Sequence, residues 1–537
     1  MELPTMFNQM FAPILAKFRK DDRGNIAILF GLTIVPVVFA VGAGIDMSQV
    51  VSAKQRAQIA VDSAALAINT QAYASITNDA MTAAARAEFE ANFNVRSGTI
   101  ADFSASRNAD GAVNVTAEVS VGTAFTPLVG IDALNFVVQS ETIVGDASFD
   151  VVMVLDNSGS MGGTKITTLK EAAKDLTATL LAVNATSPVP DRVKIGLVPF
   201  TAFVNVGADK ADAAWIDVNG LSPVNGNNMA TNTPRLDLFN QISGVSWQGC
   251  VEARPYPYDV RDTEASDAVP ETLFVPEFAP DEPDEGGYIR YDNYRSYSYS
   301  NSWIDDDGGT CTTSVSGLGA DAHTAKQQRM CKYDGASFSS WDNGVSRGPN
   351  YGCKTQQVTP LTTSKDTVDA AIDAMVADGY TNIHQGVMWG WRAISPQAPF
   401  TEGRAMNDPA NPGHRRIMIV MTDGANTYEW NDRNPNISKY NAYGYVPENR
   451  TGIDYNNNGD VTDVMDTRTG EACANAKADG EIEVYTIAFQ ISDTVTRNML
   501  RDCATTPEMA YQSDSDAELL VAFQNIAKEI SKLRLAR

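Results

Sequence analysis

Five oxygen-bearing side chains form the most informative set in the sequence, and they lie at three separate places. Asp156, Ser158 and Ser160 alternate in D-N-S-G-S, Thr381 lies in G-Y-T-N-I-H-Q-G, and Asp423 lies in M-T-D-G. Hydroxyl and carboxylate oxygens are hard ligands that suit Mg²⁺, Mn²⁺ or Ca²⁺ rather than zinc. Three hydroxyls and two carboxylates under-satisfy an ion that prefers about six oxygens. The set therefore predicts a divalent-cation site with one position open for a partner's Asp or Glu.

Long apolar segments precede both carboxylates, and each is typical of a strand buried on both faces of a parallel sheet. They are Phe149 to Leu155 and Arg416 to Met421, and similar strands follow at Arg192 to Phe200 and Glu483 to Gln490. Apolar residues at helical spacing from Leu169 to Val183 complete a βαβ unit. Because ligands bind beyond the carboxyl ends of strands in open α/β sheets, the whole set is expected at that edge. The alternative is that the two serines only cap the following helix.

The order D-x-S-x-S, then a threonine, then T-D-G resembles the metal-ion-dependent adhesion site of von Willebrand factor A domains. The resemblance implies an α/β fold with a doubly wound, mostly parallel, Rossmann-like sheet and a site for Mg²⁺ or Mn²⁺. It implies that Ser158 and Ser160 ligate the ion directly. Thr381 then ligates directly or through water, while Asp156 and Asp423 mostly orient waters.

A charge-free apolar segment lies near the N-terminus, from Asn25 to Ile45. As a helix it is roughly 30 Å long, which is the thickness of the hydrocarbon core of a bilayer. Four basic residues precede it: Lys17, Arg19, Lys20 and Arg23. Since Lys and Arg set orientation, we expect a single-pass inner-membrane protein with its N-terminus in the cytoplasm and its C-terminal part in the periplasm or outside the cell. The alternative is a cleaved secretory signal, with Val41-Gly42-Ala43 as the nearest cleavage site.

The segment after the span is predicted to form a pilin-like α+β region. From Asp46 to about Phe93 the sequence contains helix formers without proline or glycine, so we expect one long helix. Apolar and polar residues alternate from Val113 to Val121, which predicts a half-buried strand. A second strand is expected to begin at Phe136, which gives a small sheet beside the helix.

The N-terminal motifs are R-G-N-I-A-I-L-F, then the apolar span, then G-I-D and Q-x-x-x-D-x-A-A-L-A. Together they resemble the leader region of TadE/TadG-like proteins of the Flp (Tad) pilus system. W-Q-G-C-V-E-A-R (247–254) and M-W-G-W-R-A-I-S-P (388–396) also resemble that family. The resemblance implies a membrane anchor joined to an A domain with a large insertion. Leu29 stands fifth after Gly24, where a processed prepilin usually carries glutamate, and this favours a retained anchor.

The regular pattern is lost between about residues 205 and 359, which are rich in Tyr, Asp, Ser, Gly and Pro and hold four of the six cysteines. A segment this long needs a constraint to be ordered, and the absence of C-x-x-C favours disulfides in an oxidising compartment over metal binding. Buried thiols are the alternative. Cys473 and Cys503 bracket one strand and are expected to pair. The other four allow three pairings, of which Cys250–Cys353 with Cys311–Cys331 is preferred.

A second oxygen-rich motif predicts a calcium loop. Asp454, Asn456, Asn458 and Asp460 alternate as in the first half of an EF-hand loop, and Gly459 permits the sharp turn. Position twelve is Met465 rather than glutamate. The alternative is an Asx-rich turn without an ion.

These signals divide the chain into four parts and leave three functions to compare. The parts are a cytoplasmic segment (1–24), a transmembrane helix (25–45), a pilin-like region (46–147) and an A-type domain (148–537) with insertions at about 205–359 and 428–470.

The leading hypothesis is a component of a Tad-type pilus or secretion apparatus that binds a protein partner. An autonomous adhesin using the same metal site is the second hypothesis, and a metal-dependent enzyme is the third.

Composition and local motifs argue against several other kinds of function. The net charge is 41 − 66 = −25, which repels phosphate backbones and disfavours nucleic-acid binding. The three histidines lack the i, i+4 spacing of a helical zinc site. The segment 159–165 resembles a phosphate loop, but Thr164 and Ile166 occupy positions that need glycine and Ser/Thr. Since no nucleophile–base pair stands out either, we expect a binding protein rather than an enzyme.

Overall fold

The structure is a computed structural model of the chain. It describes residues 25–68, 77–93, 98–107, 113–142, 148–185, 191–229, 233–284, 287–288, 296–297, 299–316, 318, 322–406, 408, 411, 413–430, 436–453 and 458–532. The chain forms two compact units, Met1–Val144 with Arg537, and Gly145–Ala536.

The first unit contains two helices and one antiparallel sheet. Its elements are α1 (Asn25–Ile68), α2 (Asn78–Asn92), β1 (Gly98–Arg107), β2 (Val113–Gly122) and β3 (Ala133–Thr142). The strands pair in the order β1-β2-β3. Among the described helices, α1 is the one long and apolar enough to cross a membrane, judged by length and composition from Phe30 onward.

Two helices replace the single long helix predicted from Asp46 to about Phe93. The first ends at Ile68, and Thr77 begins the second because its side chain accepts a hydrogen bond from the Ala80 N–H. A threonine in this position satisfies one of the amide groups that the first turn of a helix leaves unpaired. The sequence thus contains a helix start within an otherwise uniform run of helix formers.

The core of the first unit lies between α1 and the sheet. Burial alternates along β2 as predicted, with every second residue from Val113 to Val121 buried. The facing side of α1 is lined with small side chains: Ala53, Ala57, Ala60, Val61, Ala64 and Ala65. Phe89 and Phe103 fill the space beside them with ring centroids 5.4 Å apart. The alanines allow the helix backbone to lie close to the sheet.

The second unit is an α/β domain with many short elements between its main strands. In chain order these are β4 (Phe149–Asp156), α3 (Thr164–Leu181), β5 (Val193–Phe200), β6 (Val204–Asn205), α4 (Arg235–Gln241), β7 (Cys250–Val251), β8 (Gly287–Tyr288), β9 (Ser296–Tyr297), α5 (His323–Gln327), β10 (Thr359–Thr362), α6 (Lys365–Ala374), α7 (Ile383–Ile394), β11 (Arg415–Thr422), α8 (Asn458–Ala478), β12 (Ile482–Phe489), α9 (Thr494–Cys503), β13 (Ala510–Ser513) and α10 (Asp516–Lys532).

Six of these strands form one sheet in the order β10-β5-β4-β11-β12-β13. All neighbouring pairs are parallel except β10 with β5. Residues of β4 alternate between the faces: Val151, Met153 and Leu155 pack with α3, α6 and α10, whereas Val152 and Val154 pack with α7. The predicted doubly wound, mostly parallel α/β fold is confirmed.

Every residue of α7 is buried, which is unusual for a helix that flanks a sheet. The sheet covers one side at close range, since a Cβ on Gly386 would lie 2.7 Å from the Phe200 ring. The irregular segment between β6 and β10 covers the other side. Its Phe274 and Trp215 rings lie 4.9 Å and 6.4 Å from the Trp389 ring. This second cover explains why all sides of α7 are buried, including its polar residues His384, Gln385 and Arg392.

Three disulfides lie in the second unit. They are Cys250–Cys353, Cys311–Cys331 and Cys473–Cys503, which are the pairings preferred from the sequence. The first two lie within the long insertion. The third joins the end of α8 to the end of α9 around strand β12.

Candidate metal centre

Three loops meet at the carboxyl end of the central strands, and they carry the five residues of the predicted cation site. Asp156 is the last residue of β4, and Ser158 and Ser160 lie in the loop that follows it. Asp423 directly follows β11, and Thr381 lies two residues before α7. Because β4 and β11 are adjacent and parallel, their ends bring the first and third loops together.

Backbone hydrogen bonds join the loop of Thr381 to the other two. The Gly159 N–H donates to the Gly379 carbonyl oxygen at 2.9 Å. On the opposite side, the Thr427 N–H donates to the Thr381 carbonyl oxygen at 2.8 Å. The position of Thr381 is therefore fixed by main-chain contacts to loops that follow β4 and β11.

The side chains of the first and third loops are linked directly. Ser158 Oγ and Ser160 Oγ are 2.9 Å apart, and Ser160 Oγ donates to Asp423 Oδ1 at 2.5 Å. Asp156 Oδ1 accepts the Ser158 N–H at 2.7 Å, and its Oδ2 accepts the Thr422 hydroxyl at 2.6 Å. Four of the predicted ligand residues thus form one hydrogen-bonded group.

The serines do not act as helix caps. The residue that precedes α3 is Gly163, which has no side chain to cap with. Ser158 precedes a single turn of 3₁₀-helix and makes no side-chain capping bond to it. The two serine hydroxyls therefore contact each other and the Asp423 carboxylate rather than the amides of α3.

The carboxylates are buried, which is costly for negative charges unless they are paired. Asp156 is fully buried, and the side chain of Asp423 is inaccessible. Burial and, to a smaller extent, the nearby Asp423 charge raise the pKa of Asp156 to about 6, against the opposing effect of the hydrogen bond from Thr422. Two buried acids whose charges repel each other favour a positive ion beside them.

The donor set fits a hard divalent cation. A Cβ placed on Gly424 would lie 3.9 Å from both Ser160 Oγ and Thr381 Oγ1, so the two hydroxyls flank the space over this glycine. The Asp423 carboxylate borders the same group through its bond to Ser160. Hydroxyl and carboxylate oxygens in this proximity are the ligands that Mg²⁺ and Mn²⁺ accept.

A positive charge from the protein itself lies next to the site. Lys165, in the first turn of α3, donates from Nζ to Asp423 Oδ2 at 2.7 Å. Its side chain is about one-quarter exposed, whereas that of Asp423 is not exposed. The ammonium group would therefore compete with a metal ion for the same carboxylate.

Lys165→Met is expected to raise the affinity for Mn²⁺ about tenfold, because removal of a nearby positive charge relieves roughly 1.4 kcal/mol of repulsion and competition. Titration calorimetry of the full-length protein would measure the change. Lys170→Met is the matched control, since Lys170 lies on the same helix and donates to the Asp373 carbonyl oxygen instead. An unchanged or lower affinity in the Lys165 variant would contradict a competing role.

The calcium-loop prediction lies largely outside the described residues. Asp454 and Asn456 fall in the part that the structure does not describe, and Asn458 begins α8. Within the described residues, one other group has three potential metal ligands close together: Cys250, Glu277 and Cys353. Since the two cysteines are joined in a disulfide, their sulfurs are not available as thiolate ligands.

Sequence reasoning missed three residues that hold the site. Thr422 donates to Asp156, Lys165 pairs with Asp423, and Asn426 Oδ1 accepts the Ile383 N–H at the start of α7. Thr422 is the threonine of M-T-D-G, so the motif contains the residue without indicating its role. The other two require knowledge of which loops face each other.

Comparison with known proteins gives a family match at the N-terminus. The model of the family described as putative Flp pilus-assembly TadE/G-like matches residues 24–67. No curated protein matches the chain.

Several solved structures are similar to the chain at low identity. The vWF domain of the type V pili tip protein Mfa5 from Porphyromonas gingivalis is 12% identical with a TM-score of 0.32, over 73% of this chain and 97% of that one. The pilus adhesin SpaC from Lactobacillus rhamnosus GG is 12% identical with a TM-score of 0.31, over 81% and 35%. Proximal thread matrix protein 1 from the mussel byssus, with a zinc-occupied MIDAS motif, is 12% identical with a TM-score of 0.27, over 71% and 47%.

The family match and the α/β fold concern different parts of the chain. The expected TadE/TadG-like resemblance at the N-terminus is confirmed over residues 24–67. Beyond it, the second unit has the sheet order given above. The chain is therefore one in which a segment that matches the TadE/G-like Flp pilus-assembly family model precedes a doubly wound α/β domain.

Proposed function

We propose that the protein is a membrane-anchored, exported component of a Tad/Flp-type pilus assembly or secretion apparatus that binds a protein partner through its metal site. The observation that carries the proposal is the hydrogen-bonded group of Ser158, Ser160 and Asp423 at a sheet edge, in a chain with a TadE/G-like segment near its N-terminus. The role is binding rather than catalysis.

In this proposal the ion is held by oxygen atoms from three loops. Ser158, Ser160 and Thr381 supply hydroxyl oxygens, while Asp156 and Asp423 supply the negative charge, directly or through water. The bound Mg²⁺ or Mn²⁺ attracts a carboxylate of the partner. This local attraction is needed because the net charge of −25 repels an acidic partner at long range.

The membrane topology follows from the sequence around α1. Residues 25–45 anchor the chain in the inner membrane, residues 1–24 stay in the cytoplasm, and the second unit lies in the periplasm or outside the cell. The basic residues before the span and the three disulfides of the second unit both support this orientation. Loop 454–460 is proposed as a separate calcium clip.

Partner capture by the full-length protein is expected to depend on both Mg²⁺ and the Ser158 hydroxyl. The detergent-solubilised chain would be used to capture co-expressed pilus and secretion subunits, with Mg²⁺ or with EDTA. Ser158→Ala is expected to abolish capture in Mg²⁺, because it removes one ligand oxygen without a change of charge. Ser316→Ala, at an exposed serine of the same unit, is the matched control.

The outcome also separates the two binding hypotheses. Capture of a subunit of the apparatus supports the proposal, whereas Mg²⁺-dependent binding to a foreign cell surface alone supports the autonomous adhesin. Capture that survives both EDTA and Ser158→Ala would show that the binding surface lies elsewhere in the protein.

A further inference from the structure

The turn that joins β2 to β3 has an exposed apolar tip. Leu128 is 80% exposed, Val129 57% and Ile131 44%. The segment T-A-F-T-P-L-V-G-I, from Thr123 to Ile131, contains no charged residue. Three neighbouring large apolar side chains on one turn form a patch that is costly to leave in water. We call residues 123–131 the apolar turn.

The apolar turn is fastened to α1 by one carboxylate. Asp46 accepts three backbone N–H groups, from Ala124 at 3.0 Å, Phe125 at 2.8 Å and Thr126 at 2.9 Å. Asp46 is 1% exposed, so this cluster of bonds is shielded from water. Because Asp46 is the residue directly after the charge-free span, the turn is held at the level where α1 leaves the apolar segment.

A second contact reaches further, into the span itself. A Cβ on Gly42 would lie 2.5 Å from Phe125 Cγ and 2.8 Å from Phe125 Cβ, so the phenylalanine lies directly against the helix backbone there. Gly42 is one helical turn before Asp46 and lies within the 25–45 segment. The turn therefore overlaps the last turn of the apolar span.

The direction of β3 agrees with these contacts. Thr142 Oγ1 donates to the Ala65 carbonyl oxygen, and Gln58 Nε2 donates to the Gln139 carbonyl oxygen. Going back along β3 thus goes back along α1. The nine steps from Thr142 to the start of β3 cover roughly 30 Å. An equal distance along the helix, at about 1.5 Å per residue, leads from Ala65 to the region of Asp46.

We propose that the apolar turn is a membrane-contacting loop that inserts Leu128, Val129 and Ile131 into the bilayer beside α1. The inference rests on the membrane anchorage in the proposed function and adds a second point of contact. The apolar side chains of the turn contact lipid, because the turn is fixed to α1 at the depth where this helix enters the hydrocarbon. A helix together with a fixed loop restrains the tilt of the first unit on the membrane.

Spin labelling of the full-length protein in phosphatidylcholine vesicles tests the proposal. All six cysteines are paired, so Leu128→Cys gives one reactive thiol for a nitroxide. Oxygen concentrates in lipid and a nickel chelate stays in water, so their relative collision rates report depth. Val37→Cys, in the span and 59% exposed, is the lipid reference. Val137→Cys, on β3 and 53% exposed, is the matched control away from the turn.

The label at Leu128 is expected to show a several-fold higher oxygen-to-nickel ratio than the label at Val137, close to that at Val37. Equal ratios at Leu128 and Val137, with a high ratio at Val37, would overturn the loop proposal while leaving the anchor intact. A low ratio at Val37 as well would show that the anchorage itself fails. Low collision rates with both reagents, together with spin–spin broadening, would assign the turn to a contact between copies and also overturn the proposal.

Discussion

Asp423→Asn is expected to weaken Mn²⁺ binding roughly 10- to 100-fold, in the range found when groups that support metal ligands are replaced. The substitution keeps the shape of the side chain but removes its charge. Asp423 Oδ1 accepts from Ser160, and its Oδ2 pairs with Lys165, so the loss affects both a ligand hydroxyl and the balance of charge. Titration calorimetry and thermal unfolding with and without Mn²⁺ measure the effect.

A surface carboxylate provides the control for that experiment. Asp502 is 71% exposed at the side chain and pairs with its neighbour Arg501, so Asp502→Asn should leave Mn²⁺ affinity unchanged. Asp156 is a poorer test position than Asp423. Asp156→Ala also removes the acceptor for the Ser158 N–H and the Thr422 hydroxyl, which costs about 1–3 kcal/mol of folding stability. Wild-type affinity in the Asp423 variant would remove the basis of the proposed metal site.

Removal of the Cys250–Cys353 disulfide is expected to destabilise the second unit by about 4–5 kcal/mol, the chain-entropy value for a loop of this length. The bond closes a loop with a sequence separation of 103, and both cysteines are buried. The double variant Cys250→Ala, Cys353→Ala removes it without leaving a free thiol. Urea unfolding of the variant and of the wild type gives the difference in free energy.

The second disulfide of the insertion serves as the comparison. Cys311–Cys331 has a sequence separation of only 20, for which the same model gives about 3.3 kcal/mol. The loss should therefore be smaller when Cys311 and Cys331 are both replaced by alanine. A larger loss for Cys311–Cys331 than for Cys250–Cys353 would show that native packing, rather than loop closure, determines how much each disulfide contributes to stability.

The sheet, and the edge at which the candidate site residues meet, can be predicted from the sequence because their signals are local. The run from Phe149 to Leu155 is apolar at every position but one, which only a strand covered on both faces requires. The ends of such strands share one edge of a parallel sheet, so the sequence pattern alone brings Asp156 and Asp423 together.

Other features depend on contacts that no local pattern contains. The insertion has no periodicity, yet its Trp215 and Phe274 cover α7 and make the whole helix part of the core. Lys165 lies in a segment with a superficial likeness to a phosphate loop, and its partner Asp423 is 258 residues away. The helix start at Thr77 is hidden because alanine-rich segments on both sides favour a helix strongly.

The place of β4 in the sheet has a mechanical consequence. In the proposed function, the chain enters this strand from the anchored first unit and leaves it at Asp156, in the candidate metal site. A pull between the anchor and a partner bound at that site would therefore act on the two ends of β4. Parallel neighbours pair with it along nearly its full length on both sides, so such a load shears many hydrogen bonds at once instead of peeling them one at a time.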